Sequence, residues 1–150
     1  MSSNCLSKIG IKHAYTMADK IKELEPCTVY TSMPSSNGKH VRPVQTASLV
    51  CSRLCKCVHF IDRSKFPSNH HDRNMNNIII IWHHGDMNKI LNSYFPEQPP
   101  FIWSDNNYSG CLVINEKEWK FHPKYLTENT KKHRLLLSWI SKMFSCSIFK

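Results

Sequence analysis

The chain has 150 residues, a length that forms one domain with a packed core, so we expect residues 1–150 to fold as a single domain. Hydrophobic residues make up 41% of the chain and charged residues 21%, and these ordinary globular values exclude a wholly disordered protein. No apolar run approaches the roughly 20 residues that cross a bilayer, and the first residues lack the basic start and apolar stretch of a secretion signal. The sequence therefore predicts a cytoplasmic protein without a membrane partner.

Positive charge predominates, because 20 Lys and Arg residues against 11 Asp and Glu residues give a formal net charge of +9. A surface with this excess attracts anions such as phosphorylated metabolites, acidic proteins and nucleic acids. The basic residues are scattered along the chain and form no run typical of a nucleic-acid arm. A basic module that binds nucleic acid or an acidic protein therefore stays an alternative function.

Seven cysteines form an odd set without the spacing of a secreted disulfide framework, which favours reduced thiols. Candidate zinc ligands lie close together in the pattern Cys51-x3-Cys55-x-Cys57-x-His59. A structural zinc site takes two ligand pairs separated by a loop, and no second pair follows here. If residues 42 to 55 form a helix, Cys51 and Cys55 share one of its faces as small buried side chains. We expect no metal site.

The first third of the chain predicts a helix, a strand and a second helix. Apolar residues recur at steps of three and four from Ser7 to Leu24, the stripe of an amphipathic helix, and Pro26 ends it. The segment from Cys27 to Ser32 is β-branched and aromatic, as in a short buried strand, and turn residues follow it. Pro43, at the first helical position, opens a second helix that extends to about residue 55.

The rest of the chain begins with a strand from Val58 to Ile61 and a long polar loop over residues 62 to 77. Ile78 to Trp82 is a continuous apolar run, typical of a parallel strand covered on both faces, so we expect it at the centre of the sheet. Three further elements are predicted: a helix from Met87 to Tyr94, a hairpin of residues 111 to 114 and 119 to 121, and a last helix over residues 130 to 145.

Helix and strand alternate over the first two-thirds of the chain, which predicts right-handed crossovers and an α/β fold. We expect a three-layer domain with a mostly parallel central sheet flanked by helices. The chain contains four glycines, and they form neither the dinucleotide nor the Walker fingerprint, which excludes nucleotide binding by those routes. We therefore expect no cofactor.

Two polar loops leave the carboxyl ends of the predicted strands, where ligands of such sheets bind. The loop after Ser32 leads to Arg42, at the start of a helix whose free amide donors carry partial positive charge. The loop after the isoleucine strand presents His83, His84 and Asp86. An arginine, a helix N-terminus and imidazoles at one edge suit a phosphate group. Asp86 is a candidate proton donor or orienter of His84, with an N-cap of the next helix as the alternative.

Several segments, in this order along the chain, resemble the histidine phosphatase superfamily, the phosphoglycerate mutase-like proteins. Leu6 to Ala14 is similar to the family's L-T-x-x-G-x-x-Q-A helix opening, with His13 in place of Gln. Val29 to Ser32 followed by Arg42 to Ala47 is similar to its S-S-x-x-x-R-A-x-Q-T-A. Pro43 replaces the usual Ala in this segment, and extra residues separate its two halves.

A third segment, Ile78 to Gly85, is similar to the family's strand ending in H-G, and Trp103 to Tyr108 is similar to a segment of some members. The resemblance extends over about residues 6 to 115. It implies a histidine phosphatase-like fold and a phosphorylated small molecule or a phosphoprotein as ligand.

Carried over residue by residue, the resemblance implies that Arg42 and Ser32 bind phosphate. It also implies that His84 is the second pocket histidine, a catalytic residue in contact with the transferred phosphoryl group. The family's R-H-G motif, which ends its first strand and supplies the nucleophilic histidine, has no counterpart in this chain. We therefore expect a phosphate-binding protein with impaired turnover, as in a pseudoenzyme.

An active phosphomonoesterase that uses another histidine, or an upstream start, is the alternative. His83 is a weak substitute, because adjacent residues that leave a strand point in opposite directions. In the resembled fold the missing first strand lies beside the strand from Ile78 to Trp82, whose unpaired edge invites pairing with another chain. We expect a homodimer through this edge, or poor solubility, unless another segment fills the gap.

Overall fold

The computed structural model describes residues 5–22, 28–65, 78–104, 106–114 and 118–127. They form α1 (Lys8–Ile21), β1 (Thr28–Ser32), α2 (Val41–Leu54), β2 (Val58–Ile61), β3 (Ile78–Ile81), α3 (Met87–Tyr94), β4 (Cys111–Ile114) and β5 (Trp119–His122). Each element matches one predicted at the same place in the chain. The predicted helix over residues 130 to 145 and most of the predicted loop, residues 66 to 77, lie outside the described residues. No helix in the described part of the chain is both long and apolar enough to cross a membrane.

β1 lies at the centre of a three-stranded parallel sheet with the order β2-β1-β3. Val29 of β1 is in register with Val58 on one side and with Ile79 on the other. The prediction that the isoleucine strand occupies the centre is therefore wrong, because among the described strands β3 lies at the edge. Helices lie on both faces of the sheet, so an edge strand can also carry a continuous apolar run, although β3 is less buried than β1. The homodimer expected from the sequence would form by strand pairing between the outer edge of β3 and a second copy of the chain.

Helices cover both faces of the sheet, which confirms the predicted α/β architecture with a parallel sheet. α1 and α2 pack on one face, in a core cluster that includes Val29 of β1 and Ile81 of β3. α3 packs on the other face, where Ile90 joins Ile61 and Trp82 in a second cluster. The helix after β1 and the helix after β3 thus lie on opposite sides of the sheet.

Small side chains allow α1 and α2 to approach each other closely. Ala14 and Ala18 of α1 and Ala47 of α2 belong to one core cluster and have no exposed surface. The amino ends of the two helices are also joined, because the Leu6 backbone N–H donates to Gln45 Oε1 at 2.8 Å. The start of α2 is therefore held in place by packing on α1 as well as by the sheet.

β4 and β5 pair in antiparallel register and form the predicted hairpin. The Phe121 ring lies 4.9 Å from that of Phe101 and 5.0 Å from that of Trp103, centre to centre, so an aromatic cluster connects the hairpin to the segment before it. The buried Lys20 of α1 donates to the backbone carbonyl of Tyr125, and its ammonium lies 5.2 Å from the centre of the Tyr125 ring. These contacts anchor the residues after the hairpin on α1.

Candidate functional site

The carboxyl ends of β1, β2 and β3 lie side by side at one edge of the sheet, since Ser32 is in register with Ile61 and Thr31 with Ile81. The chain leaves β1 toward a helix on one face and leaves β3 toward a helix on the other, so the crevice in which ligands of such sheets bind is expected between these two strand ends. The last residue of β1 and residues that follow the three strand ends form what we call the strand-end cluster: Ser32, His40, Arg63, His83, His84 and Asp86.

Asp86 and Arg63 form the electrostatic centre of the strand-end cluster. Arg63 Nε donates to Asp86 Oδ2 at 2.5 Å, and Arg63 Nη1 donates to His40 Nε2 at 2.7 Å. Lys89 Nζ lies 3.5 Å from the other carboxylate oxygen of Asp86. The Asp86 side chain is only 8% exposed, whereas that of Arg63 is 37% exposed. Two contacts thus fix the plane of a partly accessible guanidinium, and its Nη2 group, which has no acceptor among the described residues, can donate to an anion.

Imidazoles lie next to this ion pair. The His83 and His84 rings stack with their centres 4.6 Å apart, and the His83 ring meets the His40 ring edge-on at 4.9 Å. The prediction that His83 and His84 point in opposite directions is wrong. A 3-10 turn, His84–Asp86, begins immediately after His83. Successive side chains therefore no longer point to opposite faces of the sheet, as they do along a strand. Both rings therefore belong to the same side of the crevice.

The hydrogen bonds of His40 and His83 determine which ring nitrogen carries a proton. A guanidinium only donates, so His40 Nε2 accepts from Arg63 and the hydrogen of the neutral ring is on Nδ1. The Gly85 backbone N–H donates to His83 Nδ1 at 3.2 Å, so the neutral His83 ring carries its hydrogen on Nε2. The in-plane lone pair of each ring is thus occupied within the protein. Both rings have an N–H to offer to an anion, and neither has an unoccupied nucleophilic nitrogen.

Burial and neighbouring cations keep these two imidazoles neutral. Burial lowers the pKa of His40 below its ordinary value, and the charge of Arg63 lowers it further. Burial also lowers the pKa of His83, and so does positive charge on His84. Burial alone would raise the pKa of the Asp86 carboxyl, but the hydrogen bond and charge of Arg63 outweigh burial and hold this pKa below its ordinary range. At neutral pH the ion pair is therefore charged and the two rings beside it are not.

We expect the free energy of unfolding to fall as the pH drops below about 6.5. The pKa values of His40 and His83 are lower in the folded chain than in the unfolded chain, so the unfolded chain binds more protons in this range. Their stabilising contribution is present above the ordinary histidine pKa and is lost as the pH falls through the folded values. Asp86, whose carboxyl pKa is lowered, stays ionised down to about pH 5 and adds nothing in this window.

Urea denaturation between about pH 7.5 and about pH 5 measures this loss. The double variant with His40→Gln and His83→Gln should show a smaller change across the same range, because Gln does not titrate. An unchanged pH dependence in the double variant would contradict the assignment.

Ser32 adds a buried hydroxyl to the strand-end cluster. Its side chain is fully buried, and its Oγ has no hydrogen-bond partner among the described residues. Thr31, the residue before it, is equally buried, but its Oγ1 donates to the Ile81 carbonyl at 2.9 Å. An unpaired buried hydroxyl costs about 1–3 kcal/mol, and an oxygen of a bound ligand would satisfy it.

α2 begins at this edge with an unusual first turn. His40 is its N-cap, has a left-handed backbone with φ of 62° and makes no capping hydrogen bond with its side chain. Val41 is the first helical residue, so Pro43 is the third and not the first as predicted. At that position its missing N–H still costs little, because the first turn has donors without intrahelical acceptors. The His40 side chain is turned toward Arg63 instead of the helix.

The structure places all the predicted site residues at this edge of the sheet. Ser32 and His84 belong to the strand-end cluster, and Arg42 lies exposed on the first turn of α2. Asp86 stands at the N-cap position of α3, but its side chain makes no capping hydrogen bond. The N-cap alternative for Asp86 is therefore correct for its position but not for its side chain, since the carboxylate binds Arg63 and a lysine instead.

Arg63 and His40 are the residues that the sequence analysis missed. Arg63 is the second residue after β2, so the strand-end rule that selected the loops after Ser32 and Trp82 could also have selected it. His40 lies in the loop after Ser32 that the rule selected, but nothing in the sequence distinguished it from the other polar residues of that loop. Its importance depends on its contact with Arg63, and the two residues follow different strands.

No protein-family model, no curated protein and no solved structure matches this chain. We therefore infer its function from the strand-end cluster and from the motifs that carry the resemblance.

Proposed function

We propose that this protein binds phosphate or a phosphomonoester at the strand-end cluster, as a histidine phosphatase-like protein with impaired turnover. The observation that carries the proposal is the guanidinium of Arg63, which Asp86 and His40 hold in one orientation at the ligand-binding edge of a parallel sheet. The Nη2 group of a guanidinium fixed in this way offers charged N–H donors to the oxygens of a phosphate group. The ligand would be a phosphorylated small molecule or a phosphoprotein.

The other donors of this edge support an anion as the ligand. The Ser32 hydroxyl is buried without a partner among the described residues, and the N–H groups of the neutral His40 and His83 rings add uncharged donors. The amino end of α2, with Arg42 in its first turn, adds positive potential. The formal net charge of +9 favours the approach of anions from solution.

The hydrogen bonds that His40 and His83 accept also support the proposal of impaired turnover. Phosphoryl transfer through histidine needs an unprotonated ring nitrogen in line with the leaving oxygen. The lone pairs of His40 and His83 are occupied by Arg63 and by the Gly85 backbone. In the resembled family, the position of His84 contacts the phosphoryl group and does not attack it. Removal of a nucleophile leaves an anion site intact, because binding depends on donors.

Titration with inorganic phosphate, followed calorimetrically, tests the binding proposal. Arg42→Gln and Arg53→Gln make the same change in charge at opposite ends of α2, and both arginines are exposed. We expect Arg42→Gln to weaken phosphate binding about 3- to 10-fold, as for one exposed charged donor, and Arg53→Gln to leave it unchanged. Equal affinities in the two variants would contradict a site at the amino end of α2.

Hydrolysis of an aryl phosphate tests the proposal of impaired turnover. We expect the folded protein to show no activity above that of His84→Ala. Turnover that both His84→Ala and Arg42→Gln abolish would replace the proposal with an active phosphomonoesterase. Binding of nucleic acid with a steep salt dependence, insensitive to both changes, would instead support the basic module.

A further inference from the structure

Cysteines at the carboxyl end of α2 lie close together and take no part in the strand-end cluster. Cys51, in the last turn of α2, is buried, whereas Cys55 and Cys57 are exposed. Cys51 Sγ donates to the backbone carbonyl of Cys57 at 3.5 Å. The prediction that Cys51 and Cys55 are both buried on one helix face is thus correct only for Cys51. The partner that the Cys51 thiol faces is residue 57, six positions along the chain.

The cap of α2 explains this arrangement. Cys55 has a left-handed backbone with φ of 53°, and the Lys56 backbone N–H donates to the Cys51 carbonyl at 2.9 Å. This pattern is typical of helix ends at which the chain reverses direction. The reversal brings Cys57 back beside the last turn of the helix, directly before β2 begins at Val58. It leaves the Cys55 side chain on the exposed outside of the turn.

A metal does not account for the arrangement. In residues 5–22, 28–65 and the later described ranges, no three His, Cys, Asp or Glu side chains are grouped as a metal site requires. The remaining chemistry of two cysteines in contact, one buried and one exposed, is oxidation.

We propose that Cys51 and Cys57 form an intramolecular disulfide when the protein meets a peroxide. The exposed Cys57 reacts first: its thiolate attacks hydrogen peroxide, an S–O bond forms, the O–O bond breaks, and hydroxide leaves and is protonated to water. The Cys51 sulfur then attacks the Cys57 sulfur. The S–S bond forms, the S–O bond breaks, and hydroxide leaves as water with the Cys51 proton. Two thiols and one peroxide thus give one disulfide and two waters.

The surroundings of Cys51 and Cys57 determine which of the two reacts with peroxide first. Burial raises the pKa of the Cys51 thiol, and the nearby Cys57 raises it further, so Cys51 stays protonated at neutral pH. Peroxide from solution reaches Cys57 and not Cys51, because Cys57 is exposed and Cys51 is buried. Cys51 is therefore the resolving cysteine. Its place in the last turn of α2, where helix ends fray, gives it the small movement that S–S contact requires.

Peptide mapping after peroxide treatment, alkylation and trypsin digestion tests the proposal. Cleavage after Arg53 and Lys56 separates Cys51, Cys55 and Cys57 onto different peptides, so each linked pair has its own mass. We expect the peptides of Cys51 and Cys57 to be linked in the monomer. The linked protein should melt a few degrees above the reduced protein, because the bond restricts the unfolded chain.

Cys55→Ser and Cys57→Ser are the matched variants, since both change an exposed cysteine of the same turn. We expect Cys55→Ser to form the disulfide as the native chain does, and Cys57→Ser to lose both the linked peptide and the rise in melting temperature. A linked pair that contains Cys55, or Cys57 oxidised to an acid without a partner, would overturn the proposal. Melting temperatures of the two reduced variants, which we expect to match that of the native chain, confirm that both fold.

Discussion

Arg63→Gln is expected to lower the free energy of unfolding by about 1–3 kcal/mol and to weaken phosphate binding roughly 10- to 100-fold. The side chain of Asp86 is 8% exposed, so the loss of Arg63 leaves a nearly buried carboxylate with Lys89 as its remaining described partner. Lys89 is 77% exposed and 3.5 Å away, and it compensates only in part. The partial exposure of Arg63 keeps the expected loss below that of a fully buried pair.

Arg53→Gln is the matched control for this stability effect. Arg53 Nε lies 2.9 Å from Asp19 Oδ1, so the chain contains a second Arg–Asp pair of the same type. Both side chains of that pair are more than half exposed, and water replaces the lost contact there. We therefore expect chemical denaturation to give a lower unfolding midpoint for Arg63→Gln than for Arg53→Gln. Equal unfolding midpoints would contradict the central role of Arg63 in the strand-end cluster.

Ala47→Leu is expected to lower the free energy of unfolding by about 1–3 kcal/mol, a fall in melting temperature of roughly 2–4 °C for each kcal/mol. Ala47 has no exposed surface and shares a core cluster with Ala14 and Ala18 of α1. Leucine at this position must displace α1 or adopt a strained rotamer, because a packed interface has no space for an added isopropyl group.

Ser48→Leu adds an apolar group of similar size at the next position of α2, which is exposed. We expect its melting temperature to stay within about a degree of that of the native chain, since surface substitutions rarely change stability much. If Ala47→Leu melts together with Ser48→Leu, α1 and α2 do not pack through their alanines as described.

The sequence predicted most elements of the fold because their signals are local. The stripe from Ser7 to Leu24 and the run from Ile78 to Trp82 depend on residues that are neighbours along the chain. Their ends were less accurate: α1 ends at Ile21 and α2 begins at Val41. At helix ends, capping geometry competes with side-chain pattern, as the left-handed backbone of His40 shows.

The order of the strands could not be read from local pattern. An apolar run indicates helices on both faces of a sheet, and an edge strand between helix layers can carry such a run as well as a central strand, even though β3 is less buried than β1. The position of β3 is decided by the crossovers, which place β2 on one side of β1 and β3 on the other. The prediction of the site residues does not depend on the order of the strands, because every parallel strand in the sheet ends at the same edge.

The sequence by itself determined the α/β class, the succession of helices and strands, and the loops in which Ser32, Arg42, His84 and Asp86 lie. Only the tertiary structure determined which charged side chains contact each other. Arg63 contacts both Asp86 and His40, each of which follows a different strand, and Cys57 returns to Cys51 through the cap of a helix. The physical reason is the separation of the interacting residues along the chain. Hydrophobic periodicity depends on residues a few positions apart, whereas an ion pair between loops forms only after the sheet has aligned its strands.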